Sequence, residues 1–222
     1  NTRLQVEHPV TEALTGLDLV EWQIRVARGE PLPLAQHEVR LRGHAIEVRL
    51  CAEDDRFTPH SGRVLHFAAP TATAFAVAPP DSSSRPTLRF DHAIERGLEV
   101  TPHYDAMLGK LIVHATTRAQ AIDALMQALA QTEVLGLPTN RAFLAECLAH
   151  PKFRAGHALI SFLAGEADAL RDTLFKKELT ANDQYGLSTV LAKNVVDRGL
   201  PCAFSRPVRL RHRDTTTALA VQ

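Results

Sequence analysis

The chain has no excess of charge of either sign: 25 lysines and arginines meet 25 aspartates and glutamates, for a formal net charge of zero. With no basic stripe there is no electrostatic footprint for a nucleic-acid backbone, and that class of partner is set aside. Cysteine is scarce. Cys51, Cys147 and Cys202 are the three in 222 residues, and an odd, widely spaced set offers neither a disulfide framework nor a Cys-x-x-Cys motif, which points to a reducing compartment. The eleven histidines include no pair at metal-ligand spacing, so no zinc site is expected. No apolar run approaches membrane-spanning length and no signal peptide opens the chain, so neither a membrane nor secretion is expected. The first residue is Asn1 rather than methionine, which leads us to expect a piece cut from a longer protein. What remains is a globular composition, 45% hydrophobic and 23% charged, enough for one good core and the beginning of a second domain.

The opening residues, Asn1 to Pro9, alternate in a two-residue period that predicts an extended strand closed by Pro9. Arg3, Gln5 and Glu7 then share one face, Leu4 and Val6 the other. A guanidinium, an amide and a carboxylate in that order suit a small oxyanion: the fork holds two oxygens, the amide fixes a third position and the carboxylate takes a proton. A solvated edge strand of mixed charge is the competing reading.

Further along, Asp18 with Glu21 reads as a capping box opening a helix to about Arg28, with Leu19, Trp22 and Val26 on the face that packs on the strand. Pro31 and Pro33 mark a linker. Gly43 to Cys51 is a second strand, with His44, Ile46, Val48 and Leu50 on one face and Ala45, Glu47, Arg49 and Cys51 on the other. Glu47 and Arg49 point together, as an ion pair or as a site. A hairpin-like strand over Val64 to Ala69 and short strands near Leu88–Ala93, Glu99–Thr101 and Lys110–Ala115 indicate an antiparallel sheet. A surface loop is expected at Asp81 to Ser84, and Tyr104 is expected as a lid on the core. Arg118 to Gln131 and Asn140 to His150 have apolar stripes at helical spacing, and with Ala158–Leu163 they should cover one face of the sheet. Ala167 to Thr180 and Asn182 to Arg198 look helical, and Pro207 to His212 with Thr215 to Val221 look like two strands. His44, His66 and His114 fall in strands and read as packed or hydrogen-bonded side chains.

Asn1-Thr2-Arg3-Leu4-Gln5-Val6-Glu7-His8-Pro9, continued through Val10-Thr11-Glu12 and Thr15-Gly16-Leu17-Asp18, resembles the catalytic strand and following helix of biotin carboxylases, the ATP-grasp component of biotin-dependent carboxylases. Gly43-His44-Ala45-Ile46-Glu47-Val48-Arg49, Ala52-Glu53-Asp54, Ser61-Gly62-Arg63, Tyr104-Asp105-Ala106-Met107 and Gly136-Leu137-Pro138-Thr139-Asn140 agree in order. The resemblance covers about residues 1–165. It implies an α+β fold: the end of an ATP-grasp lobe over residues 1–36, then the carboxylase C-terminal domain over 37–165, an antiparallel sheet covered by helices. Residues 166–222 are similar, by position and pattern, to the helix-then-strands start of a linker domain.

The same resemblance implies the chemistry, an ATP-dependent ligase carboxylating biotin on a carrier. Arg3, Gln5 and the Val6 backbone amide would bind bicarbonate, Glu7 would deprotonate it for attack on ATP, and Arg49 would face the oxyanion of the biotin ureido group. Asn1 matches the asparagine beside metal and phosphate, while direct Mg2+ or Mn2+ ligands would precede it, so the fragment itself should not turn over. ATP and biotin are the expected cofactors. A biotin carrier domain, a carboxyltransferase subunit and a second copy of the chain are the expected partners. Lys110 is not in an Ala-Met-Lys-Met string, so no biotin attachment site is expected. Pro9, where pyruvate carboxylases usually have threonine, and the helical tail favour an acyl-CoA carboxylase alpha subunit, in the cytoplasm or the mitochondrial matrix. Pyruvate carboxylase and a non-catalytic assembly scaffold are the alternatives.

Overall fold

A computed structural model describes residues 3–77, 85–181, 206–212 and 215–221. The expected Asp81–Ser84 loop and the helix expected from Asn182 lie outside the described residues, as does Asn1. The chain divides into two compact units, Asn1–Leu174 and Phe175–Gln222.

The first unit departs from expectation at once. Residues 3–7 form no strand; α1 (His8–Thr15) begins there, with Pro9 in its first turn. Proline's fixed φ and missing N–H suit the first helical positions, where that N–H has no partner anyway. Gly16, at φ 72°, ends the helix and returns its N–H to the Glu12 carbonyl. The two-residue alternation survives as exposure alone, with Arg3, Gln5 and Glu7 outside and Leu4 and Val6 half-buried. α2 (Leu19–Ala27) starts where expected, its N-cap Asp18 accepting from the Glu21 N–H at 2.8 Å. It buries no residue. The Glu21 side chain pairs with Arg25 at 2.5 Å instead of closing a capping box.

β1 (His44–Cys51) is followed by β2 (Gly62–Arg63), β3 (His66–Ala68), β4 (Thr87–His92), β5 (Glu99–Val100) and β6 (Met107–Ala115). β6 is the middle of an antiparallel sheet, with β1 on one edge and β4 on the other. Ile46, Val48 and Leu50 are buried on one face of β1, as their spacing predicts. The strand expected over Val64–Ala69 is the shorter β3, which pairs with β7 (Glu133–Leu135), while β2 just before it pairs with β5. α3 (Arg118–Gln131) has a complete capping box from Thr117 and Gln120, and its buried Ala121, Ile122, Leu125, Ala128 and Leu129 join the core under β1 and β6.

α4 (Arg141–Ala149) buries Phe143 and Leu148. After α5 (Pro151–Arg154), no helix spans Ala158–Leu163; Leu159 and Ile160 are exposed, and α6 (Phe162–Ala181) starts later. Leu170 and Leu174 pack with Phe143 in a small satellite core. Tyr104 is 85% exposed and lids nothing. In the second unit β8 (Arg206–His212) and β9 (Thr215–Val221) pair antiparallel, matching the two expected strands. Among the described residues no helix is long and apolar enough to cross a membrane.

Candidate functional site

Arg3, Gln5 and Glu7 come together on an open cleft of about 690 Å³. Trp22, Val26 and Leu32 line its other wall. The α2 stripe expected to pack on a strand therefore serves as an apolar wall. Burial patterning alone could not tell these outcomes apart, because a cleft wall and a core face carry the same spacing.

Glu7 stands at the N-cap of α1 in the right-handed region, φ −83° and ψ 0°, and its side chain makes no capping hydrogen bond. Its carboxylate is thus not consumed by the helix that holds it. Locally the turn is fastened by the His8 and Val10 N–H groups, which donate to the Gln5 and Glu7 carbonyls at 3.2 and 3.1 Å. His8 Nδ1 donates to the Gln5 carbonyl as well, at 2.7 Å. The amino-terminal end of a helix carries a partial positive charge, which adds to Arg3 in favouring an anion beside Glu7.

Two further anticipated residues sit differently. Val6 is half-buried and does not line the cleft, and neither does Arg49. Arg49 is exposed on β1, opposite Lys110 of β6. The link between the two halves is Glu47. Its carboxyl is pushed up from 4.5 to about 7 by burial, against the pull of Lys110 and Arg49, with Asp91 and Glu7 adding to the rise. Glu7 and Arg49 therefore act on one and the same carboxyl group. Glu47 Oε2 is enclosed and has no hydrogen-bond partner.

That arrangement has a measurable consequence. Between pH 4.5 and 7 the folded chain keeps a proton on Glu47 that the unfolded chain releases, so stability falls as pH rises through that window and levels off above it. The whole gap corresponds to about 3 kcal/mol, and partial solvent access reduces it to about 1–2 kcal/mol. Glu47→Gln is expected to flatten this slope and to be the more stable protein at pH 8 by about that amount. Urea unfolding of both proteins at pH 5 and pH 8 measures it.

The helix that bears Glu7 is anchored by a buried network that sequence reading missed. Glu12, 1% exposed, accepts from the Leu19 N–H at 3.0 Å and from Arg89 Nη1 at 2.7 Å. Arg89 grips Asp91, 4% exposed, through Nε and Nη2, and Asp91 also accepts from the Phe75 N–H at 2.7 Å. α1, the start of α2, the Phe75 loop and β4 are tied at one point.

Other chemistry is poorly served. Cys51 and Cys147 are free, and burial pushes both thiols up to about 11, so neither is a thiolate nucleophile at neutral pH. His66 pairs with Glu133 at 3.1 Å and His114 with the Arg42 carbonyl at 2.8 Å, the hydrogen-bonded roles expected of them. His44 is exposed on β1 and is not packed. Among the described residues no group of three or more His, Cys, Asp or Glu is placed to hold a metal ion.

Comparison with known proteins gives the following. Residues 47–165 match the family of the biotin carboxylase C-terminal domain, and residues 1–35 the ATP-binding domain of the carbamoyl-phosphate synthase L chain. Biotin carboxylase of Halalkalibacterium halodurans is 49% identical over 164 residues, covering 73% of this chain and 33% of that protein. The mitochondrial methylcrotonoyl-CoA carboxylase subunit alpha of Rattus norvegicus is 45% identical over 165 residues, covering 73% of this chain and 21% of its own. Among solved structures, the biotin carboxylase domain dimer of Hydrogenobacter thermophilus 2-oxoglutarate carboxylase, in complex with MgADP, ADP and bicarbonate, superposes with a TM-score of 0.67 at 36% identity. That match covers 77% of this chain and 35% of that one. The biotin carboxylase subunit of a pyruvate carboxylase gives the same TM-score at 37% identity, with the same coverage. The chain spans a third or less of the length of these curated relatives.

Proposed function

The chain belongs to the biotin carboxylase family, whose C-terminal domain it matches over more than half its length, and on that premise we propose that it supplies the bicarbonate-activating base and the biotin-facing cation of an ATP-dependent biotin carboxylase. The observation that carries this reading is the cleft on which Arg3, Gln5 and Glu7 converge, with the Glu7 carboxylate left unused by its helix. Arg3 and Gln5 hold the bicarbonate oxygens, with the Val6 amide as a further donor. Glu7 takes the bicarbonate proton, so that the oxygen can attack the terminal phosphate of ATP; the bond to ADP breaks, ADP leaves, and the carboxyphosphate formed splits into carbon dioxide and phosphate, the phosphate then taking the proton of the ureido nitrogen. Bound biotin supplies a ureido nitrogen as the carboxyl acceptor. Arg49, always protonated and planar, faces the negative charge that develops on the ureido oxygen. Asn1 is kept as a residue of the metal and phosphate vicinity.

The family matches at 1–35 and 47–165 support the end of an ATP-grasp lobe at 1–36 and a C-terminal domain at 37–165, and a linker over 166–222 rests on position and pattern alone. Relatives named as methylcrotonoyl-CoA and propionyl-CoA carboxylase alpha subunits favour the acyl-CoA class. A carrier domain and a carboxyltransferase subunit are then the partners, and a dimer of carboxylase lobes the assembly. Similarity to the pyruvate carboxylase subunit keeps that enzyme as the second reading.

ATP hydrolysis by the natural-length protein that contains this chain tests the proposal, measured with and without bicarbonate and free biotin. Hydrolysis that needs both is the expected result. Hydrolysis indifferent to biotin would move the chain to another ATP-grasp ligase.

A further inference from the structure

Asn140 breaks a local rule. It stands at the N-cap of α4, where asparagine ordinarily turns its side-chain oxygen onto the first helical N–H groups, yet it makes no side-chain cap. Its side chain reaches β1 instead. Asn140 Oδ1 accepts from the Cys51 N–H at 2.9 Å and Nδ2 donates to the Arg49 carbonyl at 3.1 Å. The Asn140 backbone N–H adds a bond to the Cys51 carbonyl at 3.2 Å. Since β1 is an edge strand of its sheet, no strand among the described residues offers partners on that side. The asparagine amide, 9% exposed, supplies the donor and the acceptor that a neighbouring strand would.

The place where it does so matters. The pairing of β1 with β6 shifts register between Leu50 and Cys51, and such an irregularity re-aims the side chains beside it. Asn140 clasps the backbone on both sides of that shift, at Arg49 and at Cys51. We propose that Asn140 is a positioning residue for Arg49: its clasp on the irregular end of β1 sets the direction in which the guanidinium leaves the strand, and so governs biotin use without touching the bicarbonate cleft. This inference rests on the role assigned to Arg49 above. Glu47, one residue pair further along the strand, lies outside the clasp.

The test uses the natural-length protein, with free biotin and bicarbonate as the varied substrates, and compares wild type, Asn140→Ala, Arg49→Ala and the double variant. Asn140→Ala is expected to lower kcat/KM for biotin on the order of 10- to 100-fold, as a displacement of about 1 Å does, and to leave KM for bicarbonate unchanged. The double variant should be no worse than Arg49→Ala alone, since the asparagine acts through the arginine. Asn140→Asp keeps the acceptor for Cys51 and loses the donor to Arg49, so it should fall in between; it also decides the matter if Asn140→Ala does not fold. Equal losses for biotin and bicarbonate, or multiplicative losses in the double variant, would reduce Asn140 to a structural part and overturn the inference. A strong effect of Arg49→Ala with none from Asn140→Ala or Asn140→Asp overturns the inference alone. Undiminished biotin carboxylation in Arg49→Ala overturns the functional reading and the inference with it.

Discussion

Replacing Glu7 with glutamine is expected to lower bicarbonate-dependent ATP cleavage by roughly 10²- to 10⁴-fold in the natural-length protein, the range over which a positioned general base acts. The structure makes this substitution a clean one. Glu7 is exposed to the cleft, makes no capping bond and leaves its helix to be held by backbone hydrogen bonds and Pro9. Glutamine keeps the shape and the capacity to hydrogen-bond, so bicarbonate binding through Arg3 and Gln5 should change little while proton removal stops. Stability should stay within about 0.5 kcal/mol of wild type, as for a surface change that breaks no buried feature. Phosphate release and urea unfolding, measured on the same preparations, separate the two effects. A second signature is electrostatic: the Glu7 charge is one of the causes that raise the Glu47 carboxyl, so titration of Glu47 should move downward in the variant. A variant that cleaves ATP at the wild-type rate would remove Glu7 from the chemistry, and a scaffold would then be the better reading.

Arg89→Met is expected to have the largest effect on stability, a loss of about 3–5 kcal/mol, because it leaves two buried carboxylates without their cation. Glu12 and Asp91 are 1% and 4% exposed, and Arg89 bonds to both. Their remaining hydrogen bonds, to the Leu19 and Phe75 N–H groups, offer dipoles only, and the imidazole beside Glu12, His8, stands 3.9 Å away. Adding Glu12→Gln and Asp91→Asn to Arg89→Met removes both stranded charges and keeps an oxygen for each of those N–H groups. The triple variant should therefore regain part of the loss. Urea midpoints for wild type, single and triple variants decide the matter. If the single variant lost less than about 1 kcal/mol, the network would behave as an exposed ion pair does.

Much of the fold is legible in short-range pattern. β1 and α3 bury the residues their periodicity selects, since a core face imposes a period of two on a strand and 3.6 on a helix. The opening segment shows where that reasoning stops. Arg3, Gln5 and Glu7 alternate in exposure as a strand would, yet residues 3–7 are in no ladder, because alternation states which side chains are covered and not whether a partner strand exists. The helix signals were present in Pro9 and Gly16 and were outweighed by that alternation. The tertiary ties are invisible locally for a different reason. Arg89 lies 77 positions from Glu12 and Asn140 lies 91 from Arg49, distances over which no spacing rule operates. Glu47 sits on the face of β1 that the period assigns to the outside, and only the packed structure encloses one of its oxygens.

The central position of β6 has a consequence for how the two halves of the site move. Its N–H groups are paired to β1 on one side and to β4 on the other, and α3 packs on it. Amide protons of such a strand exchange with solvent only through events close to global unfolding. β1, the strand that carries Arg49, is paired with β6 along its length, whereas Arg3, Gln5 and Glu7 sit on a turn outside every ladder. Deuterium uptake should accordingly divide the two segments in time: seconds for the turn that carries Arg3, Gln5 and Glu7, and far longer for the β1 amides that bond to β6. In the proposed reaction the base then adjusts to each incoming anion while the cation on β1 keeps a constant address.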